Sequence, residues 1–231
     1  MSTVLVTGAN RGLGLEFCRQ YAEDGWHVVA CCRNPARAVD LQQIARQYAN
    51  VQLETLDVAD FAQIDALAVQ LSALPIDVLI NNAGVYGDED SHQFGNLDYQ
   101  VWLDTFVVNS QAPVKMAEAF FGQLKRSELK LLVTISSLMG SMADNSSGGS
   151  LLYRSSKAAV NAAMKSLAID LKKDGIGVLI FHPGWVKTDM GGHHAPMRPV
   201  DSIAGMRQVM AGFSLAQSGG FVRYDGKVVP W

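Results

Sequence analysis

Charge is scarce in this chain and nearly balanced: 18% of its 231 residues are charged, and the formal net charge is −3. Such a surface gives no electrostatic reason to expect nucleic acid or an anionic membrane as partner. Cysteine is scarcer still. Cys18, Cys31 and Cys32 form an odd set with no CxxC or Cys/His cluster of zinc spacing, which argues against a disulfide framework and a structural metal. Adjacent Cys31 and Cys32 should point to opposite faces of a strand, as small core residues in a reducing compartment. His193 and His194 have no carboxylate or thiol partner at ligand spacing, so no metal site is assigned. No uncharged apolar run approaches the roughly 20 residues of a membrane span. Strand-like sequence starts by residue 3 without a basic leader, and the expectation is a cytoplasmic protein.

What the chain does have is apolar sequence, at 48% of residues, in a strict rhythm. Val-, Ile- and Leu-rich runs predict strands over Thr3–Thr7, His27–Cys32, Val51–Leu56, Asp77–Asn81, Leu129–Ser136, Gly177–Phe181 and Gly220–Val229. Helical patterns fill the intervals: Gly12–Asp24, Ala36–Tyr48, Asp60–Ser72, Asp98–Lys125, Leu151–Lys173 and Val200–Ala216. This alternation predicts an α/β fold of βαβ units with one parallel sheet covered by helices on both faces. Taken with the motifs and the resemblance given below, the expected fold is a single Rossmann-type, doubly wound, seven-stranded sheet in strand order 3-2-1-4-5-6-7. No linker or repeat divides residues 1–231, so a single domain is expected. Three irregular loops, near 86–96, 143–150 and 185–199, follow strand C-terminal ends, where such sheets bind ligands.

"TGANRGLG", Thr7 to Gly14, joins the first strand to the first helix. Gly8 would permit a tight turn, Gly12 the approach of a pyrophosphate, and Gly14 the packing of helix on strand. The anion would sit on the free N–H groups of the helix N-terminus. A site for NAD usually has a carboxylate after the second strand, to hold the ribose 2′-hydroxyl. "ACCRNP" has Arg33 there, and Arg11 with Arg33 could clamp a 2′-phosphate instead, which favours NADP(H).

A second constellation follows the fifth strand. Tyr153 and Lys157 stand four apart at the start of a helical pattern and so share one face. An ammonium beside a phenol would lower the phenol's pKa and make Tyr153 a usable acid or base. Ser137, at the preceding strand's end, could hold a substrate oxygen, with neighbouring Ser136 the other candidate.

Together, TGxxxGxG at Thr7–Gly14, "NNAG" at Asn81–Gly84, "ISS" at Ile135–Ser137, YxxxK at Tyr153–Lys157 and "PG" at Pro183–Gly184 resemble the short-chain dehydrogenase/reductases. The finer "DNSSGGSLLYRSSKAAVN", "HPGWVKTDMGG" and "DGKVVPW" are similar to the C-factor/sniffer-like carbonyl reductase branch. The resemblance implies Ser137, Tyr153 and Lys157 as catalytic, with Asn109 as a fourth position whose backbone carbonyl holds a relay water. An independent reason supports Asn109: Pro113, four residues on, has no N–H to pair with that carbonyl, so a local helix distortion is expected there. For the cofactor, the resemblance implies Gly8, Asn10, Arg11, Gly12, Leu13 and Gly14 in the loop, Asp57 and Val58 by the adenine, and Asn82, Ala83 and Gly84 along the ribose. It further implies Pro183 and Gly184 beside the nicotinamide, Val186 near its carboxamide and Thr188 toward the phosphates.

One departure is a longer Ser137-to-Tyr153 segment, with a polar insert around Asn145–Gly149. His182 reads as packing or support, Trp185, Met190 and Met197 as an apolar lid, and Gly191-Gly192 as a hinge. The apolar face of Met116, Ala119, Phe120 and Leu124 exceeds what one sheet face needs, suggesting a homodimer or homotetramer. The expected activity is NADPH-dependent reduction of a small-molecule carbonyl, with a weakly active signalling or regulatory dinucleotide binder of the C-factor type as the alternative.

Overall fold

The computed structural model describes residues 1–89 and 93–231; of the irregular loop expected over 86–96, positions 90–92 lie outside the described residues. The apolar runs form β1 (Thr3–Thr7), β2 (His27–Cys32), β3 (Val51–Thr55), β4 (Val78–Asn81), β5 (Leu131–Ile135), β6 (Gly177–His182) and β7 (Gly220–Arg223). These make one parallel sheet in the order β3-β2-β1-β4-β5-β6-β7, as expected. β1 lies centrally, with Val4 in register with Val28 on one side and Val78 on the other.

Around the sheet run α1 (Gly12–Glu23), α2 (Val39–Gln47), α3 (Phe61–Gln70), α4 (Tyr99–Phe106), α5 (Ala112–Ala119), α6 (Phe121–Arg126), α7 (Leu151–Asp170) and α8 (Pro199–Ala211). Strand side chains alternate between two apolar clusters. Val4, Val6, Val28 and Cys32 pack with Phe17 of α1, Leu41 of α2 and Met206 of α8. Leu5, Val29, Cys31 and Leu132 pack with Ile64 of α3, Met116 of α5 and Val160 of α7. Cys31 and Cys32 therefore do face opposite ways. Among the described residues, no helix is long and apolar enough to cross a membrane.

Several boundaries differ from the sequence reading, each for a local reason. The last strand stops at Arg223 because Gly226, at φ +81°, reverses the chain, leaving an isolated antiparallel bridge between Val222 and Val228. Ahead of α2, Pro35–Arg37 form a separate 3₁₀ turn, in which Asn34 Oδ1 accepts from the Arg37 N–H at 3.2 Å. The expected long helix over Asp98–Lys125 is divided. A π-helical stretch, Val107–Gln111, separates α4 from α5, and the Ala112 N–H reaches back five residues to the Val107 carbonyl. The distortion expected at Asn109–Pro113 is present. The face read as surplus for dimerisation is not free, since Met116, Phe120 and Leu124 are fully buried within the chain's own core. On α4, Tyr99 and Leu103 are the exposed apolar side chains instead.

Candidate active site

The C-terminal ends of β1, β4, β5 and β6 converge on one edge of the sheet, and the site is built along it. At the end of β1, Gly8 (φ +65°) and Gly12 (φ +55°) occupy the left-handed region that glycine tolerates. A Cβ on Gly14 would stand 2.2 Å from the Gly8 carbonyl oxygen, so only glycine lets α1 start this close to the loop. Arg11 occupies the N-cap position of α1 without a side-chain capping bond, which leaves the helix N-terminus to backbone N–H groups. The Asn10 and Leu13 side chains flank this turn, exposed and half-buried respectively.

Asn82, expected along the ribose, braces the loop. Its Nδ2 donates to the Thr7 carbonyl at 2.8 Å and the Gly8 carbonyl at 3.2 Å. The N–H groups of Asn82 and Ala83 donate to Thr7 Oγ1 at 3.0 and 3.1 Å. Gly84 follows, where an added Cβ would lie 3.2 Å from Asn109 Oδ1 and 3.6 Å from Lys157 Nζ. That close approach puts the end of β4 directly against two of the expected catalytic positions.

Asn109 lies in the π-helical stretch and is buried. Its Nδ2 donates to the Val85 carbonyl at 2.8 Å and to Ser156 Oγ at 3.0 Å, while Oδ1 accepts from the Val85 N–H at 2.9 Å. Ser156 Oγ in turn donates to the Tyr153 carbonyl at 2.8 Å. The side chain thus ties the β4 loop to the helix that carries Tyr153 and Lys157.

Of the two serines after β5, Ser136 donates to Asn161 Oδ1 at 2.6 Å inside the core. Ser137 Oγ accepts from the Met139 N–H at 3.1 Å, and of the two it is the serine near enough to Tyr153 to favour the charged form of the phenol. Burial outweighs that influence and pushes the phenol up to about 12. The expected lowering by Lys157 is not found. Lys157 Nζ donates to the Ile135 carbonyl at 2.9 Å and stands 5.7 Å from the Tyr153 ring centre, and burial brings the ammonium itself down to about 8. Near neutral pH the site therefore holds a protonated phenol beside an ammonium that releases its proton readily. Such a pair can donate protons.

His182 supports the serine turn: its Nδ1 accepts from the Leu138 N–H at 3.1 Å, and burial with help from Arg223 lowers its pKa to about 4. Beyond β6, Gly184 (φ +88°) packs against Met197, and Pro183's carbonyl accepts from Ser202 Oγ at 2.6 Å. Val186 is buried and bridges to Met197. Thr188 lies against Gly12, with Cγ2 3.3 Å from where a Cβ there would be. Trp185, expected in an apolar lid, is 57% exposed, and its indole N–H donates to the Gly191 carbonyl at 2.7 Å. A Cβ on Gly191 would meet the Val186 carbonyl oxygen at 2.0 Å, whereas Gly192, at φ +75°, has open space around it.

The two arginines are differently employed. Arg33 stands exposed just past β2, whereas Arg11 Nη1 pairs with Asp189 Oδ2 at 2.6 Å across the cleft between the β1 and β6 loops. After β3, Asp57 Oδ1 accepts from the Ala59 N–H at 3.0 Å, and Val58 is buried. Sequence reasoning missed Asp88, Tyr86, Ser156 and Asp189. The two acids act on residues far away in the chain, and no short spacing marks them.

A parallel sheet with this glycine turn, and Ser137, Tyr153 and Lys157 brought to one strand edge, defines an oxidoreductase of the nucleotide-dependent type. The chain belongs to the short chain dehydrogenase family, whose profile matches residues 2–198. It is 41% identical over 166 residues to the C-signal of Myxococcus xanthus, covering 72% of this chain and 99% of that protein. Among solved structures it resembles the carbonyl reductase Sniffer of D. melanogaster, at 34% identity and a TM-score of 0.93 over the whole of both chains. The NADPH-bound carbonyl reductase from chicken fatty liver is likewise 34% identical, with a TM-score of 0.92 over 100% of this chain and 99% of that one.

Proposed function

We propose that residues 1–231 act as one cofactor-binding and catalytic unit that uses NADPH to reduce the carbonyl of a small or medium apolar aldehyde, ketone or quinone. The observation that carries this reading is the buried Tyr153 phenol, which stays protonated at neutral pH, with the Lys157 ammonium 5.7 Å from its ring centre. A group so placed can donate to a carbonyl oxygen. The residues also fit a dinucleotide: the α1 N-terminus has no side-chain cap, Gly84 leaves room before Lys157, and Arg33 stands where a carboxylate would select NAD. The NADPH-bound chicken relative supports the same cofactor.

When bound, NADPH supplies the hydride to the carbonyl carbon. Ser137 orients the carbonyl oxygen and Tyr153 gives it a proton. Lys157 restores that proton to the phenol, through a water held at the Asn109 carbonyl that Pro113 leaves without its usual N–H partner. The kinship with a protein named C-signal favours a second reading, a dinucleotide-binding regulator with little turnover. The test is NADPH absorbance with a panel of aldehydes, ketones and quinones. Turnover that is lost in Tyr153→Phe while NADPH binding persists is expected. Slow turnover indifferent to that substitution would establish the regulator instead.

A further inference from the structure

The catalytic helix begins in an unusual way. Gly148, Gly149 and Ser150 all have left-handed backbone, at φ +64°, +67° and +47°, immediately before Leu151. A residue that caps a helix with its own side chain normally has extended backbone, so that its oxygen reaches the second and third N–H groups of the helix. Ser150 makes no such bond, and its hydroxyl instead shares a 2.7 Å hydrogen bond with that of Tyr86. The second and third N–H groups of α7 belong to Leu152 and Tyr153. Asp88 takes both: Oδ1 accepts from Leu152 at 3.2 Å and Oδ2 from Tyr153 at 2.8 Å.

We infer that Asp88 is a positioning residue for the proton donor, capping the catalytic helix from the β4 loop at the peptide of Tyr153 itself. A carboxylate is well suited to the place, since it satisfies two donors and favours the positive end of the helix. Tyr86 reinforces the contact, its ring lying 5.0 Å from that of Tyr153. The same loop leaves β4 at Gly84 and Val85, and the Val85 backbone bonds the Asn109 side chain through both its N–H and its carbonyl. Loop and phenol are therefore held as one piece, and a shift of the loop carries the phenol relative to Ser137.

The inference rests on the proposed reductase reading for its kinetic arm only. Asp88→Ala, Asp88→Asn and the unchanged protein are compared by amide hydrogen exchange, NADPH binding and turnover. Exchange at Leu152 and Tyr153 needs no substrate: it should speed up in Asp88→Ala and be largely restored in Asp88→Asn, whose amide oxygen can still accept. Turnover should fall about 10- to 100-fold in Asp88→Ala through kcat, because small misplacements of a reacting group are this costly. NADPH affinity should hold within about twofold, and Asp88→Asn should recover most of kcat. The alkaline limb of kcat should move upward in Asp88→Ala as the phenol moves away from the Ser137 hydroxyl that favours its charged form. Unchanged exchange at both amides would overturn the capping role. Unchanged kcat with faster exchange, or parallel loss of NADPH binding and global stability, would overturn the positioning role. Absence of turnover in the unchanged protein would count against the reductase reading, while the exchange result still decides the cap.

Discussion

Lys157 directs its ammonium to the Ile135 carbonyl at 2.9 Å while standing 5.7 Å from the ring centre of Tyr153, and Ser137 Oγ accepts from the Met139 N–H at 3.1 Å. Serine and lysine thus have separable effects on the proton donor. Ser137→Ala should lower kcat and move the alkaline limb of the pH profile upward, because the nearby hydroxyl that favours the phenolate is gone. Tyr153→Phe should cut turnover by about 10²- to 10⁴-fold, the usual worth of a positioned acid, with NADPH binding kept. Stopped-flow and steady-state absorbance across pH measure both.

Lys157 makes the folded protein sensitive to pH in a direction that can be worked out. Its pKa falls from 10.5 to about 8, so the fold disfavours the ammonium. Below about pH 8 both states bind the proton and the full penalty, on the order of 3 kcal/mol, applies. Between about pH 8 and 10.5 the unfolded chain binds more protons, and stability gained by deprotonation rises with pH. Lys157→Met should therefore stabilise most below about pH 8 and progressively less toward 10.5. Urea midpoints of both proteins across this range are the measurement, and a pH-independent difference would refute the penalty.

His182 gives the corresponding acid-side effect. Neutral imidazole accepts from Leu138, and its pKa falls from 6.5 to about 4 through burial and Arg223, against Asp144. As pH drops from about 6.5 toward 4, the unfolded chain takes up a proton that the native one refuses, and stability is lost. His182→Gln, with a non-titrating acceptor, should flatten the acid limb in thermal melts over this range.

Pro113 maintains the π-helical stretch at Asn109. Pro113→Ala restores an N–H for the Asn109 carbonyl and should let an ordinary α-turn form. Thermal stability is expected to hold or rise, with kcat down about tenfold or more as the relay site and the Asn109 side chain shift. A crystal structure of the variant retaining the wide turn would contradict this cause.

Arg11 must leave Asp189 to reach a 2′-phosphate. Both side chains are mostly exposed, so the pair is weak, and Asp189→Asn should tighten NADPH by only about two- to fivefold without affecting NADH. Arg33→Ala should weaken NADPH selectively. Isothermal titration with both dinucleotides tests the two together, and equal changes for NADH would remove the assignment.

Much of this was legible because the inner strands are buried on both faces. β1 and β2 match their expected bounds residue for residue, and the sheet has the order expected of a Rossmann-type fold. Ser137, Tyr153 and Lys157 were expected together and are together. What could not be read depends on depth and distance. The Lys157 ammonium was expected to act on the phenol, but burial weakens the lysine itself and a backbone carbonyl holds it. Asp88 lies 64 residues before the first N–H it caps, and Asp189 lies 178 residues from Arg11. The one hint was local: "GGS" before Leu151 is poor capping sequence when both glycines turn left-handed. The supposed surplus on the Met116 helix failed because α3 and the sheet together already cover it.

A parallel sheet carries a kinetic consequence for this chemistry. Its reacting edge joins strand tips from both halves of the chain, with β1 beside β4 and β5 beside β6. The edge is complete only once β6 has paired with β5. During refolding, regained turnover should therefore lag behind regained helicity, reporting closure of the last strand pairs.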